Sequence, residues 1–83
     1  MKKKNIKKDK EWVVKILINI NPEIKNIIKK KNYNLVNDGY VDSLMILRLL
    51  FEVEKKFKKK INSSKINREN FSSVENIVRL IKK

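Results

Sequence analysis

The segment Asp38-Gly39-Tyr40-Val41-Asp42-Ser43-Leu44-Met45 predicts a loop that ends at the start of a helix. Glycine provides a turn, and Asp42 is of a residue type that commonly caps a helix N-terminus. Ser43 then falls in the first helical turn, where free backbone N–H groups and the positive end of the helix dipole favour a phosphate. We therefore hypothesise that Ser43 carries a phosphate group covalently and that the rest of the chain presents it.

The apolar pattern after this segment predicts a helix from Ser43 to about Lys58. We expect its buried stripe to comprise Leu44, Leu47, Leu50, Phe51, the stem of Glu54 and Phe57. A second apolar stripe of Ile46, Leu49 and Val53 indicates a central helix that is contacted on more than one side. The side chains expected in solvent are Met45, Arg48, Glu52, Lys55 and Lys56.

Upstream, we expect residues 1–8 to form a basic tail, frayed or in a loose first turn, and residues 9–83 a single domain, with Asp9 as a candidate cap of the first helix. Its inner face would hold Val13, Ile16, Leu17 and Ile20, which follow the i, i+3, i+4, i+7 pattern. Asn21-Pro22 ends this helix, because a residue before proline avoids the helical region. A short helix with Ile24, Ile27 and Ile28 precedes a long connection, which Tyr33, Leu35 and Val36 anchor to the core.

Downstream, residues 62–70 are polar, and residues 68–71 are expected to make one short helical turn. Ser72-Ser73-Val74-Glu75 then fits a capping box with Ser72 as the N-cap and Glu75 at N3. Val74, Ile77, Val78 and Ile81 would form the inner face of the last helix. The predicted fold is all-α: a small bundle of three main helices plus a short fourth helical turn, with a long first loop.

Composition excludes several classes of active site. The 83 residues contain neither histidine nor cysteine. The usual zinc sites, Ser-His and Cys-His pairs and an imidazole base at neutral pH are therefore excluded. We expect a protein that takes part in chemistry as a substrate or carrier and not as an enzyme.

The formal charge of +13 raises the alternative of a basic helical protein that binds nucleic acid. Lysine (19), isoleucine (12) and asparagine (11) make up half the chain, and codons rich in A and T encode all three. Genome bias is the preferred explanation of the charge. No segment is long enough to cross a membrane, and residues 21–23 make a poor signal-cleavage site, so we expect a cytoplasmic protein.

Residues 35–44, Leu-Val-Asn-Asp-Gly-Tyr-Val-Asp-Ser-Leu, resemble the phosphopantetheine attachment segment of acyl carrier and peptidyl carrier proteins. The resemblance continues through Leu47, Leu49, Leu50, residues 51–57, Ile61 and residues 71–77, and it covers roughly residues 10–82. Within that superfamily, residues 39–43 are similar to the Gly-Leu-Leu-Asp-Ser of D-alanyl carrier proteins. Residues 67–71 also echo the Asp-Arg-(acid)-x-Trp segment of those proteins.

The resemblance implies an acyl-carrier-like bundle in which Ser43 receives 4′-phosphopantetheine from coenzyme A. The thiol of this arm then holds an acyl or aminoacyl group as a thioester. It also implies that Asp42 helps the modifying transferase to hold metal and that Leu44 lies at the cofactor site. Partner contacts are expected at Met45, Ile46, Arg48 and Glu52.

The implied partners are a phosphopantetheinyl transferase, an acyl- or aminoacyl-loading ligase and a downstream synthase or transferase. We expect a monomer with no specific nucleic-acid partner and no stable membrane insertion. Which of the fatty acid, polyketide, peptide or D-alanine pathways it serves stays open.

One feature departs from the family. Carrier proteins are usually acidic along the second helix, whereas Arg48, Lys55 and Lys56 occupy such positions here. Either the partners have adapted, or docking relies on Leu44, Met45 and Ile46, because like charges oppose association. A carrier-like fold that serves only as an interaction subunit is a further alternative, as is membrane-surface binding by the basic, amphipathic first helix.

Overall fold

The computed structural model describes the backbone of residues 6–82 and the side chains of residues 8–82. The α-helices in this part of the chain are α1 (Ile6–Ile20), α2 (Ile24–Ile27), α3 (Ser43–Phe57) and α4 (Val74–Lys82). Two 3₁₀ turns, Ser63–Lys65 and Glu69–Phe71, lie between α3 and α4. The predicted all-α bundle with three main helices, a short helical turn and a long first connection is confirmed. The turn at Ser63–Lys65 was not predicted.

The core lies where α1, α3 and α4 meet, and it is entirely apolar among the described residues. α1 packs most extensively against α4. The rings of Trp12 and Phe57 meet edge to face, with centroids 5.5 Å apart, and so join α1 to α3. The largest fully buried side chains are Val13, Leu17, Ile24, Leu35, Leu49, Phe71, Val74 and Ile77. The burial of such side chains away from water contributes most of the free energy that stabilises packed helices of this length.

α1 begins earlier than predicted, and Asp9 does not cap it. The helix already includes Ile6, which places Asp9 inside its first turn. The Asp9 carboxylate instead pairs with the Lys82 ammonium at 2.8 Å, and Lys10 pairs with Glu75 at 3.3 Å. Both ion pairs link α1 to α4. Residues 6–8 therefore belong to the helix, whereas residues 1–5 of the predicted tail lie outside the described residues.

The predicted buried stripe of α3 is wrong. Leu49 and Val53 are the fully buried residues of this helix, whereas Leu44, Leu47 and Phe51 are 76%, 57% and 62% exposed. Leu50, Glu54 and Phe57 are intermediate, as are Met45 and Glu52 from the set expected in solvent. Arg48, Lys55 and Lys56 are exposed as predicted. The helix thus packs on one face only, and its outer face keeps large apolar side chains in water.

The N-terminus of α4 is capped one residue later than predicted. The Ser73 hydroxyl accepts a hydrogen bond from the Asn76 N–H at 3.1 Å, and the Ser73 carbonyl accepts the first bond of the helix from Ile77. Ser72 instead donates to the Glu69 carbonyl, and Glu75 faces α1 and the long connection. The predicted box with Ser72 and Glu75 is therefore wrong. The predicted inner face of α4 is buried throughout, and Leu80 joins it.

The long connection between α2 and α3 is held against the bundle by its backbone. Leu35 is completely buried, and its N–H donates to the Ser72 carbonyl at 2.7 Å. Its carbonyl accepts from the N–H groups of both Tyr40 and Val41 at 2.9 Å. The loop that leads to Ser43 is thereby tied to the segment that precedes α4. None of the described helices has the length and apolar character that crossing a bilayer requires.

Candidate functional site

Asp42 caps α3, as predicted. Its backbone is extended, its carboxylate Oδ1 accepts a hydrogen bond from the Met45 N–H at 2.9 Å, and its carbonyl accepts one from the Ile46 N–H at 2.9 Å. Ser43 is the first residue of the helix, and its side chain is exposed. The hydroxyl of Ser43 is therefore held at a defined helix start that solvent can reach.

The loop before Asp42 is ordered by hydrogen bonds within itself. The Asp38 carboxylate accepts from the Asn34 N–H at 3.0 Å, and the Asp38 N–H donates to the Asn34 carbonyl at 2.8 Å. Gly39 follows with a φ of +85°, a conformation that other residues rarely adopt. Val41 is then buried. These contacts determine where the chain enters α3.

A second contact ties this loop to the end of α1. The Asn21 side-chain amide donates to the Tyr40 carbonyl at 3.1 Å, while its Oδ1 accepts from the Glu23 N–H at 3.1 Å. Asn21 thus ends α1 and holds the chain two residues before Asp42. The sequence predicts only the first of these two roles.

The start of α3 offers unpaired donors. Among the described residues, no group accepts a hydrogen bond from the backbone N–H of Ser43 or of Leu44. The first N–H groups of a helix have no partner within the helix, and they carry the positive end of its dipole. A phosphate attached to Ser43 would lie beside these donors.

A cleft of about 310 Å³ opens next to Ser43. Its walls come from the first turns of α3 and from the segment between the two 3₁₀ turns. The lining residues are Ser43, Ile46, Leu47, Ile66, Asn67 and Arg68. Arg68 Nη2 also donates to Asn37 Oδ1 at 3.2 Å, which joins this wall to the loop before the helix. The predicted site residue thus borders a partly apolar cleft.

The predicted contact residues do not all share one surface. Leu44 and Arg48 are exposed, whereas Met45, Ile46 and Glu52 are partly buried, and Ile46 faces the cleft. Leu47 and Phe51 are exposed to solvent, although their spacing predicted that they belong to the core. A signal for Phe51 was present in the sequence, because Leu44, Arg48, Phe51 and Lys55 follow i, i+4, i+7 and i+11 and so mix apolar with basic residues along one stripe.

The chemistry of this site is that of an accessible primary hydroxyl. Over the described residues, no group of three or more Asp and Glu side chains is placed to hold a metal ion. The only carboxylate adjacent in sequence to Ser43 is Asp42, which is engaged in capping. Comparisons of this chain with family models, curated proteins and solved structures find no match.

Proposed function

We propose that this protein is a carrier that holds acyl or aminoacyl groups as thioesters on a 4′-phosphopantetheine arm attached to Ser43. The observation that carries the proposal is the exposed Ser43 hydroxyl, which directly follows the Asp42 cap within a segment that resembles carrier attachment sites. A separate phosphopantetheinyl transferase would reach this hydroxyl without any rearrangement of the bundle. The proposed setting is the cytoplasm, where coenzyme A and the loading enzymes are found.

The attachment is a phosphoryl-type transfer. The Ser43 oxygen attacks the pantetheine-side phosphorus of the coenzyme A pyrophosphate and forms a phosphodiester. The bond from that phosphorus to the bridging oxygen breaks, adenosine 3′,5′-bisphosphate leaves, and the hydroxyl proton passes to the base of the transferase. The free N–H groups of Ser43 and Leu44 provide donors near the new phosphodiester.

The surroundings of Ser43 suit this role. Asp42 holds the first turn of α3 and, in the proposed complex, presents a carboxylate edge to the metal of the transferase. The cleft beside Ser43 offers Ile46, Leu47 and Ile66 to the arm or its cargo. A loading ligase and a downstream synthase or transferase complete the proposed set of partners. The chain contains no cysteine, so the arm would provide its sole thiol.

The decisive experiment measures intact mass after incubation with coenzyme A and a broad-specificity phosphopantetheinyl transferase. We expect the addition of one phosphopantetheine. Ser43→Ala should abolish the addition, whereas Ser64→Ala, which changes another exposed serine in a 3₁₀ turn, should leave it intact. An unchanged mass, after a control carrier has been fully converted in the same tube, would contradict the proposal.

A second candidate function is nucleic-acid binding. Lys55, Lys58, Lys59 and Lys60 line a cleft of about 430 Å³ at the end of α3, together with Phe51 and Glu54. Any chain with a charge of +13 is expected to bind nucleic acid weakly and in a salt-sensitive way. Fluorescence anisotropy with DNA and RNA oligonucleotides distinguishes the two functions. Tight binding with sequence preference at physiological salt would favour this candidate.

A third candidate function uses the carrier-like fold only as an interaction subunit. Ser43 would then stay unmodified in its own host. An intact mass of the protein purified from that host separates this function from the carrier.

A further inference from the structure

The outer face of α3 carries a stripe of mixed apolar and basic side chains. At about 100° per residue, Leu44, Arg48, Phe51 and Lys55 lie within a narrow sector of the helix, and Leu47 flanks it. This sector is opposite the buried Leu49 and Val53, so nothing in the described bundle covers it. We refer to Leu44, Leu47, Arg48, Phe51 and Lys55 as the α3 outer stripe.

The α3 outer stripe is exposed to an unusual degree for its apolar content. Leu44, Leu47 and Phe51 are all more than half exposed, and they are the large apolar side chains that the described surface leaves in water. A contiguous exposed apolar surface with polar edges is typical of an interaction site. Folding does not require these side chains on this face, so a role outside the bundle accounts for them better.

The charge around the stripe is positive. Arg48 and Lys55 lie within it, and the Lys55 ammonium is 5.8 Å from the centre of the Phe51 ring. Lys56, Lys58 and Lys60 are exposed at the C-terminal end of the helix. Glu52 and Glu54 offset only part of this charge, because residues 48–60 carry one arginine and five lysines against these two acids.

We propose that the α3 outer stripe docks protein partners whose surface has an apolar depression bordered by carboxylates. The inference rests on the proposed function, because the docked partner is one that acts on Ser43 or on its arm. Leu44, Leu47 and Phe51 enter the depression, while Arg48 and Lys55 pair with acids at its border. The partner surface is thus opposite in sign to the basic surface that meets an acidic carrier helix.

Two other classes of partner fit the stripe less well. Nucleic acid would use Phe51 and the basic residues, but it would leave Leu44 and Leu47 without a role. An anionic membrane would bring headgroup charge against the exposed carboxylates of Asp38 and Asp42 at the start of the helix. It would also cover Ser43, which must stay open to a transferase.

The test measures kcat/KM for arm transfer by the phosphopantetheinyl transferase of the same host, at low and at high NaCl. For the wild-type chain we expect kcat/KM to fall ~10-fold or more between ~50 mM and ~500 mM NaCl, because salt screens the attraction. Arg48→Glu with Lys55→Glu should lower kcat/KM ~10-fold at low salt and much less at high salt. Leu47→Ser with Phe51→Ser should lower it ~10-fold at both salt concentrations, because apolar burial is not screened.

The matched control is Lys29→Glu with Lys30→Glu, which makes the same charge change at exposed residues between α2 and α3. We expect its kcat/KM to stay within ~2-fold of wild type. An excess of a broad-specificity transferase should still convert every variant completely, because Ser43 is unchanged. If the wild-type chain itself cannot be converted, the proposed function fails.

Other outcomes would overturn the docking proposal alone. In one such outcome, the wild-type chain is converted completely, and Arg48→Glu with Lys55→Glu leaves kcat/KM unchanged or raises it. Another is sedimentation with phosphatidylglycerol vesicles that Phe51→Ser abolishes while kcat/KM stays at the wild-type value; this assigns the stripe to lipid. Binding of a DNA oligonucleotide with the same dependence on Phe51, and again no change in kcat/KM, assigns it to nucleic acid.

Discussion

The Tyr33 hydroxyl accepts a hydrogen bond of 3.0 Å from the backbone N–H of Val74, the first residue of α4. That N–H has no acceptor within its own helix, so a side chain 41 residues away serves as the cap. The same hydroxyl donates to Glu75 Oε1 at 3.2 Å. The long connection that leads to Ser43 is therefore tied to the N-terminus of the last helix.

Tyr33→Phe tests this connection. It removes the acceptor and leaves the N–H of the buried Val74 without a partner, so the free energy of unfolding should fall by about 1–3 kcal/mol. Urea denaturation followed by circular dichroism measures the loss. Tyr40→Phe is the matched control, because no hydrogen bond of the Tyr40 hydroxyl occurs among the described residues. Equal stability of both variants would contradict the role of Tyr33.

Glu75 makes the stability of the fold depend on pH. A hydrogen bond to its own backbone N–H, with smaller contributions from Lys10 and Tyr33, lowers the pKa of Glu75 below its usual 4.5. A lowered pKa in the folded state contributes stability that is present above pH 4.5 and is lost as the pH falls through the folded value. The difference in urea midpoint between wild type and Glu75→Gln should therefore be largest near neutral pH and shrink in acid. A difference that stays constant with pH would contradict this.

Asp42 caps α3, and substitutions can separate this role from the one that the proposed function assigns to its carboxylate. Asp42→Ala removes the cap of α3 and should lower the free energy of unfolding by about 1 kcal/mol, whereas Asp42→Asn keeps an accepting oxygen and should cost little. If the carboxylate also serves the metal of the transferase, Asp42→Asn should slow arm transfer while stability stays near wild type. The measurements are urea denaturation and the rate of mass increase with coenzyme A. If Asp42→Asn accepts the arm at the wild-type rate, Asp42 serves only as the cap of α3.

Three leucines of α3 provide a matched comparison of its two faces. Leu49→Ala removes a fully buried side chain and should lower the free energy of unfolding by about 2–5 kcal/mol. Leu44→Ala and Leu47→Ala remove exposed side chains and should change it by no more than about 0.5 kcal/mol. Thermal or urea unfolding measures all three. A large loss in Leu44→Ala would mean that the outer stripe is part of the core.

Gly39 is required for its backbone conformation alone. A Cβ added at this position would meet nothing within 4 Å, yet its φ is +85°. Gly39→Ala should therefore lower the free energy of unfolding by about 1–2 kcal/mol through backbone strain. Gly39→Asn should cost less, because asparagine tolerates positive φ better. Equal stability of Gly39→Ala and wild type in urea would show that the loop adopts another conformation without cost.

Much of the fold is predictable because it depends on neighbours in sequence. The end of α1 at Asn21-Pro22, the Asp42 cap and the inner face of α4 all follow from interactions between residues a few positions apart. The predicted N-cap of α4 was one residue too early, because Ser72 and Ser73 are locally equivalent as caps. The choice between the two serines depends on Tyr33, which the tertiary fold brings to the N–H of Val74.

The candidate site also has one part that depends on neighbours in sequence and another that depends on the tertiary fold. The position of Ser43 as the first residue of α3 follows from the local pattern. Its cleft does not, because Ile66 and Arg68 reach it from a segment more than twenty residues away.

By itself, the sequence determined three main helices, the start of α3 and the position of Ser43 at that start, because hydrogen bonds and caps within a helix involve only nearby residues. Only the tertiary structure decided which apolar stripe of α3 is buried. Both stripes have helical spacing, and the choice depends on which face of α3 the rest of the bundle covers. That packing buried Leu49 and Val53 and left Leu44, Leu47 and Phe51 in water.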